Sequence, residues 1–212
     1  MKHLFTILVA LSLFAVQAFA DGSEALKRVP KDGDEVAVVE TNLGRIVLMF
    51  FPDKAPKHVE SFLKLSKKGF FDGTKFHRVI PKFMIQGGDP NSKGSDRSTY
   101  GTGGPGYEIK GEMNDVPHKR SVLSMARTSD PNSAGSQFFI TVADVDFLNP
   151  QRDDKGELVR GHEGYTVFGR CIQGMDIVDK IVALPRDEGD APLPANPAIV
   201  KSVKIVTWPI KS

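Results

Sequence analysis

Between residues 36 and 207 the apolar residues of this chain come in short, β-branched runs, and glycine or proline breaks nearly every run. Such punctuation suits strands of four to eight residues and leaves little room for long helices. Residues 36–41 and 45–51 flank Asn42-Leu43-Gly44 and read as a β-hairpin. Residues 76–80 and 83–86 are short strands around Pro81-Lys82, and residues 122–127, 137–143, 165–172 and 199–207 supply the rest. Only two stretches have helical spacing. One follows Asp53, a candidate cap, carries Pro56 in its first turn, sets Val59, Phe62 and Leu63 on one face and stops at Gly69. The other spans residues 174–184, with Ile177, Val178, Ile181 and Val182 on one side. Strands and helices do not alternate, which argues against a parallel α/β sheet. The predicted fold class is mainly β: a closed eight-stranded antiparallel β-barrel, with no exposed sheet edges, capped by two short α-helices.

Composition narrows the function classes. The formal charge is +2, from 28 Lys and Arg against 26 Asp and Glu. That balance lacks the basic excess an electrostatic nucleic-acid binder needs. A single cysteine, Cys171, excludes an intrachain disulfide and zinc sites built on several thiolates; its strand setting suggests a small core residue. Residues 101–106 match G-x-G-x-x-G, but they follow a polar loop and open no helix, so they are not read as a phosphate cradle. His58, His77, His118 and His162 are scattered without metal-ligand spacing. Neither a cofactor nor a metal is expected.

The first twenty residues read as an address rather than as part of the fold. Met1-Lys2-His3 precedes an uncharged, mostly apolar run over residues 4–16, and Ala18-Phe19-Ala20 then supplies an Ala-x-Ala cleavage signal. The alternative is an uncleaved anchor, at the short edge of what spans a bilayer. The expected organisation is a signal peptide over 1–20, a flexible lead-in over 21–34 and one domain over 35–210. The product would be periplasmic or secreted.

The chemistry sits in three stretches: Phe71-Asp-Gly-Thr-Lys-Phe-His-Arg78-Val-Ile-Pro-Lys-Phe83-Met84-Ile-Gln86-Gly-Gly88, then Leu123-Ser-Met-Ala126-Arg127, then Gly135-Ser-Gln137-Phe-Phe139-Ile140. Here the chain resembles the cyclophilin family of peptidyl-prolyl cis/trans isomerases, over nearly all of residues 36–206. Gly101-Thr102-Gly103-Gly104, Val167-Phe168-Gly169 and the 174–184 helix also sit where that family has them. The resemblance implies the site. Arg78 is the donor aimed at the prolyl nitrogen. Phe83, Met84, Phe139 and Leu148 line the proline-ring pocket. Gln86 and Gln137, with the main chain of Ala126 and Arg127, hold the peptide; the family usually has Asn where this chain has Arg127.

Two further positions complete the implied site. Phe147 stands where the widely studied eukaryotic members carry Trp, and Tyr165 where they carry His. This pair resembles the bacterial periplasmic branch and argues against tight cyclosporin binding, because the indole supports that drug contact. The 149–164 loop is longer than in minimal members, and its charges suggest a mobile surface loop. The resemblance implies a monomeric isomerase that acts on proline-containing unfolded or flexible polypeptides and assists the folding of exported proteins. An alternative reading is a proline-peptide-binding chaperone with little turnover. A third is a barrel storing a small apolar ligand, which the large inward candidates Ile46, Leu48, Phe50 and Phe138 disfavour.

Overall fold

The β-hairpin at the start of the domain forms as its sequence dictates. Strand β1 (Glu35–Thr41) turns at Gly44, whose φ of +140° suits a residue without a Cβ, and pairs antiparallel with β2 (Arg45–Phe50). The computed structural model describes residues 22–211. Six more strands follow: β3 (Arg78–Ile80), β4 (Met84–Gly87), β5 (Val122–Met125), β6 (Phe138–Thr141), β7 (Val167–Gln173) and β8 (Val200–Thr207). The helices are α1 (22–27), α2 (Pro56–Lys67) and α3 (Met175–Val182).

The strands form one antiparallel sheet in the order β3-β4-β6-β5-β7-β2-β1-β8. The expected closed barrel is only partly realised. Strands β3 and β8 end the sheet and share no ladder, because β3 has three residues before the turn at Pro81 and Lys82. The seam is instead joined by the chain beside them. Phe76 N–H donates to Ala198 O at 2.9 Å, Val200 N–H to Thr74 O at 2.8 Å and Gly73 N–H to Val200 O at 2.8 Å.

The interior is filled by aromatic rings. Phe62, from α2, lies at the centre of a buried group, with ring centroids 5.0 Å from Phe71, 5.4 Å from Phe138, 5.5 Å from Phe50 and 5.7 Å from Phe168. Ile46, Leu48, Phe50 and Phe138 all face this core, so the barrel is packed rather than hollow and the ligand-storing reading falls. Cys171 is buried in the same core, where desolvation pushes its thiol up to about 12. It is a small core residue with little thiolate character.

Two local expectations change, and a third gains detail. Asp53 does not cap α2. It forms a two-pronged pair with Arg28 at 2.6 and 2.9 Å, and that guanidinium holds its carboxyl below the ordinary range. The α2 terminus is capped from a distant loop: the Glu112 carboxylate accepts from the N–H groups of Lys57 (3.2 Å) and His58 (3.1 Å). The segment 21–34 is expected to be flexible; of it, residues 22–34 are described, carry α1 and pack on the barrel. Ala25 is fully buried, and Gly33 N–H donates to Trp208 O at 3.0 Å. The 149–164 loop lies on the surface as expected, and its backbone is paired with itself. Gln151 N–H donates to His162 O, Val159 N–H to Gln151 O and Asp153 N–H to Glu157 O, each at 2.9 Å.

Truncating the central ring is expected to be costly. Phe62→Ala leaves a cavity among four other rings and should lower unfolding stability by about 3–5 kcal/mol. Urea denaturation checks this; a loss below about 1 kcal/mol would mean that the ring cluster is not the core's keystone.

Candidate active site

The strand register decides where the site lies. Residues directly opposite one another in an antiparallel ladder point to the same face. Val79, Ile85, Ile140 and Leu123 form one such row across β3, β4, β6 and β5, and all four belong to the aromatic core. The adjacent row is Arg78, Gln86, Phe139 and Ser124. Alternation sends it to the opposite face, so the candidate side chains Arg78, Gln86 and Phe139 stand outside the aromatic core.

On that outer face lies a second, smaller apolar cluster. Met84, Phe139, Val145 and Leu148 are buried there, with Phe83, Ala126 and Tyr165 packed against them. They surround a hollow of about 180 Å³ lined by Arg78, Phe83, Met84, Gln86, Ala126, Arg127, Phe139, Leu148 and Tyr165. These residues come from five separate segments, and the sheet brings them together as the sequence reading expects. Two predicted residues stand apart. Phe147 is 73% exposed and sits at the rim with its ring 5.4 Å from Phe83. Gln137 reaches the hollow only through Gln86, whose Nε2 donates to Gln137 Oε1 at 2.9 Å.

Gln137 instead ties the site to the glycine-rich loop. Its Nε2 donates to Gly101 O at 2.9 Å and Gly103 O at 2.8 Å. Together with Gln86, Ala126 and Arg127, that loop walls a second, larger hollow beside the first. Residues 101–106 thus shape a groove and open no helix.

Arg78 is exposed, and among the described residues no carboxylate or carbonyl pairs with its guanidinium. An arginine with no structural partner beside a hollow lined in part by Phe83, Met84, Phe139 and Leu148 is free to donate to whatever enters. The described residues include no group of three or more His, Cys, Asp or Glu side chains able to hold a metal ion.

The support beneath this face escapes sequence reading. His118 is fully buried and stacks on Phe139 at 6.0 Å. Its Nδ1 hydrogen-bonds Asn149 Oδ1 at 2.9 Å and its Nε2 meets Ser124 Oγ at 3.0 Å. The imidazole thus locks Phe139, the start of the 149–164 loop and β5 together. The three residues have no sequence spacing that would associate them.

Comparison with known proteins fits this geometry. The family model described as cyclophilin type peptidyl-prolyl cis-trans isomerase/CLD matches residues 36–207. The chain is a member of the cyclophilin family. A peptidyl-prolyl cis-trans isomerase of Acinetobacter baylyi is 45% identical over 148 residues, covering 69% of this chain and 71% of that one. Isomerase B of Escherichia coli is 44% identical over 168 residues, covering 78% of this cyclophilin and 96% of its own length. Among solved structures, a Cryptosporidium parvum cyclophilin determined in the presence of the dipeptide Ala-Pro superposes with a TM-score of 0.66. It is 31% identical and is covered over 99% of its length, against 81% of this chain. This cyclophilin is a peptidyl-prolyl cis/trans isomerase.

The buried histidine makes folding sensitive to acid. Burial pushes His118 from 6.5 down to about 4, against the opposing pull of the Asn149 hydrogen bond and the Asp146 charge. Between those values the unfolded chain holds a proton on His118 that the folded protein does not. Stability is therefore complete above pH 6.5 and falls as pH drops through 4, by about 3 kcal/mol for this residue. Urea midpoints between pH 7 and 4 should decline, and His118→Gln should flatten the decline. Parallel curves for the two proteins would overturn this assignment.

Proposed function

We propose that Arg78 carries the catalysis and that the hollow beside it holds the proline ring. The observation that carries this reading is the juxtaposition of an unpaired guanidinium with a small hollow that Phe83, Met84, Phe139 and Leu148 help to line, on one face of β3, β4 and β6. Resonance holds an X–Pro bond planar behind a barrier of about 18–20 kcal/mol. A hydrogen bond donated to the prolyl nitrogen engages the lone pair that conjugates with the carbonyl, and rotation about C–N becomes easier. No covalent bond forms or breaks and no proton is transferred, so neither a nucleophile nor an acid–base pair is needed. A gain of about 10⁵ in rate requires about 7 kcal/mol, within reach of one charged donor and a fixed ring in a dry hollow.

The other roles follow from position. Phe83, Met84, Phe139 and Leu148 hold the ring by apolar contact, with Met84 adapting to its shape. The Gln86 amide and the main chain of Ala126 and Arg127 hold the peptide on one side, and Gln137 fixes Gln86 in place. Phe147 at the rim lacks an indole, which supports weak cyclosporin binding.

The enzyme acts as a monomer on unfolded or flexible exported polypeptides and assists their folding. Export is supported by the charged start, the apolar run and the Ala18-x-Ala20 signal of residues 1–20, which lie outside the described residues. No helix among the described residues is long and apolar enough to cross a membrane.

Two measurements test the reading. In a protease-coupled proline-peptide assay, Arg78→Ala should lose at least about tenfold in kcat/KM at unchanged melting temperature, since the side chain is exposed and unpaired. Equal rates would sink the mechanism. Mass spectrometry of exported protein should find Asp21 as its first residue; recovery of Met1 in the membrane fraction would refute cleavage.

A further inference from the structure

The side chain of Arg127 has an assignment of its own, separate from the main chain that the resemblance places in the site. Its guanidinium lies 4.6 Å from the ring centroid of Tyr165. Nε and Nη2 both donate to Gly164 O, at 3.1 and 2.9 Å, and Nη1 donates to Thr128 O at 2.8 Å and Ser129 O at 3.3 Å. One planar cation thus fixes an aromatic ring, the residue before it and its own following turn. Lysine, a point charge on a flexible stem, cannot reproduce that fork.

Tyr165 is a wall of the hollow, and its restraints are few. Its ring meets the edge of Phe139 at 5.8 Å, and its N–H donates to Leu148 O at 3.2 Å. The guanidinium covers the ring and so opposes its swinging away. Gly164, the acceptor, closes the 149–164 loop. Its φ is +73°, and a Cβ there would stand 2.5 Å from Pro150 N, so the two ends of the loop touch. The far end is held at Asn149 by His118, which stacks on Phe139. The loop and two walls of the hollow are therefore one connected assembly, with Arg127 as its clamp.

We propose that Arg127 is a positioning residue. It sets the Tyr165 wall of the proline hollow and couples that wall to the 149–164 loop, so that filling the hollow tightens the loop. This rests on the reading of the hollow as the proline site.

The test combines Arg127→Ala, Arg127→Lys, Tyr165→Leu and the double variant R127A/Y165L. Arg127→Ala should raise KM by about five- to tenfold, the scale of a half-buried cation–π contact, and change kcat by less than about twofold. If Arg127 acts through Tyr165, the double variant should bind no worse than Tyr165→Leu alone. Amide exchange gives a second readout, which a merely structural role would not move. An Ala-Pro peptide at saturation should slow exchange across 149–164 in the native protein but not in Arg127→Ala. Arg127→Lys, the variant least disturbing to folding, should recover KM more than loop protection, because it keeps charge over the ring and loses the fork to Gly164. Additive effects in the double variant, or unchanged KM and loop protection in Arg127→Ala, would overturn the inference. If Arg78→Ala is impaired while Arg127→Ala binds normally, only this inference fails. If Arg78→Ala is also fully active, the reading of the hollow itself fails.

Discussion

The two-residue alternation of four strands governs this molecule. In β3, β4, β6 and β5 the inward side chains close the phenylalanine core, and their outward neighbours include Arg78, Gln86 and Phe139 of the candidate site. A slip of one residue in any of these ladders would bury Arg78 or Gln86 among rings and expose Val79 or Ile85. Register is therefore a condition for the site as much as for the fold. The core enforces it, because burying a charge without a partner is far more costly than any local rearrangement.

The outer cluster needs support from below that an apolar surface alone does not provide. Phe139 rests on an imidazole held at both nitrogens, and this buried polar link is satisfied at each end. Glu112 plays a comparable part at α2. Its carboxylate answers the helix N-terminus, and His58 Nδ1 meets the same oxygen at 2.7 Å. Both devices tie a loop to a regular element across many residues of sequence. They make the irregular parts of the chain as well determined as the strands.

Much of this was legible in the sequence, for physical reasons that also mark the limits. Short β-branched runs and glycine breaks report local backbone preference, so the strands and α2 lie close to where patterning puts them. The site was legible through the Phe71–Gly88 and Gly135–Ile140 stretches, where the resemblance is dense. The illegible parts depend on long-range pairing. Asp53 looks like a cap until Arg28 is placed beside it. The charged 149–164 loop is as exposed as its composition suggests, but the pairing of its backbone with itself leaves no sequence pattern. Residues 21–34 look like a linker because one buried alanine, Ala25, makes no pattern. His118 carries no signal at all, since Ser124 and Asn149 meet it only through the fold.

The site's place on the outer face has a consequence for which chains it can serve. A pocket inside a barrel must be entered end-first, and a tunnel would admit only free termini or loops long enough to thread it. Here the hollow lies on the sheet face opposite the aromatic core, beside a second groove walled by residues 101–106. A polypeptide can be laid across it at any point along its length, including between two segments that have already folded, and can leave by the same route. On the proposed reading of the hollow as the proline site, access is limited by the local exposure of a proline rather than by the length of its chain.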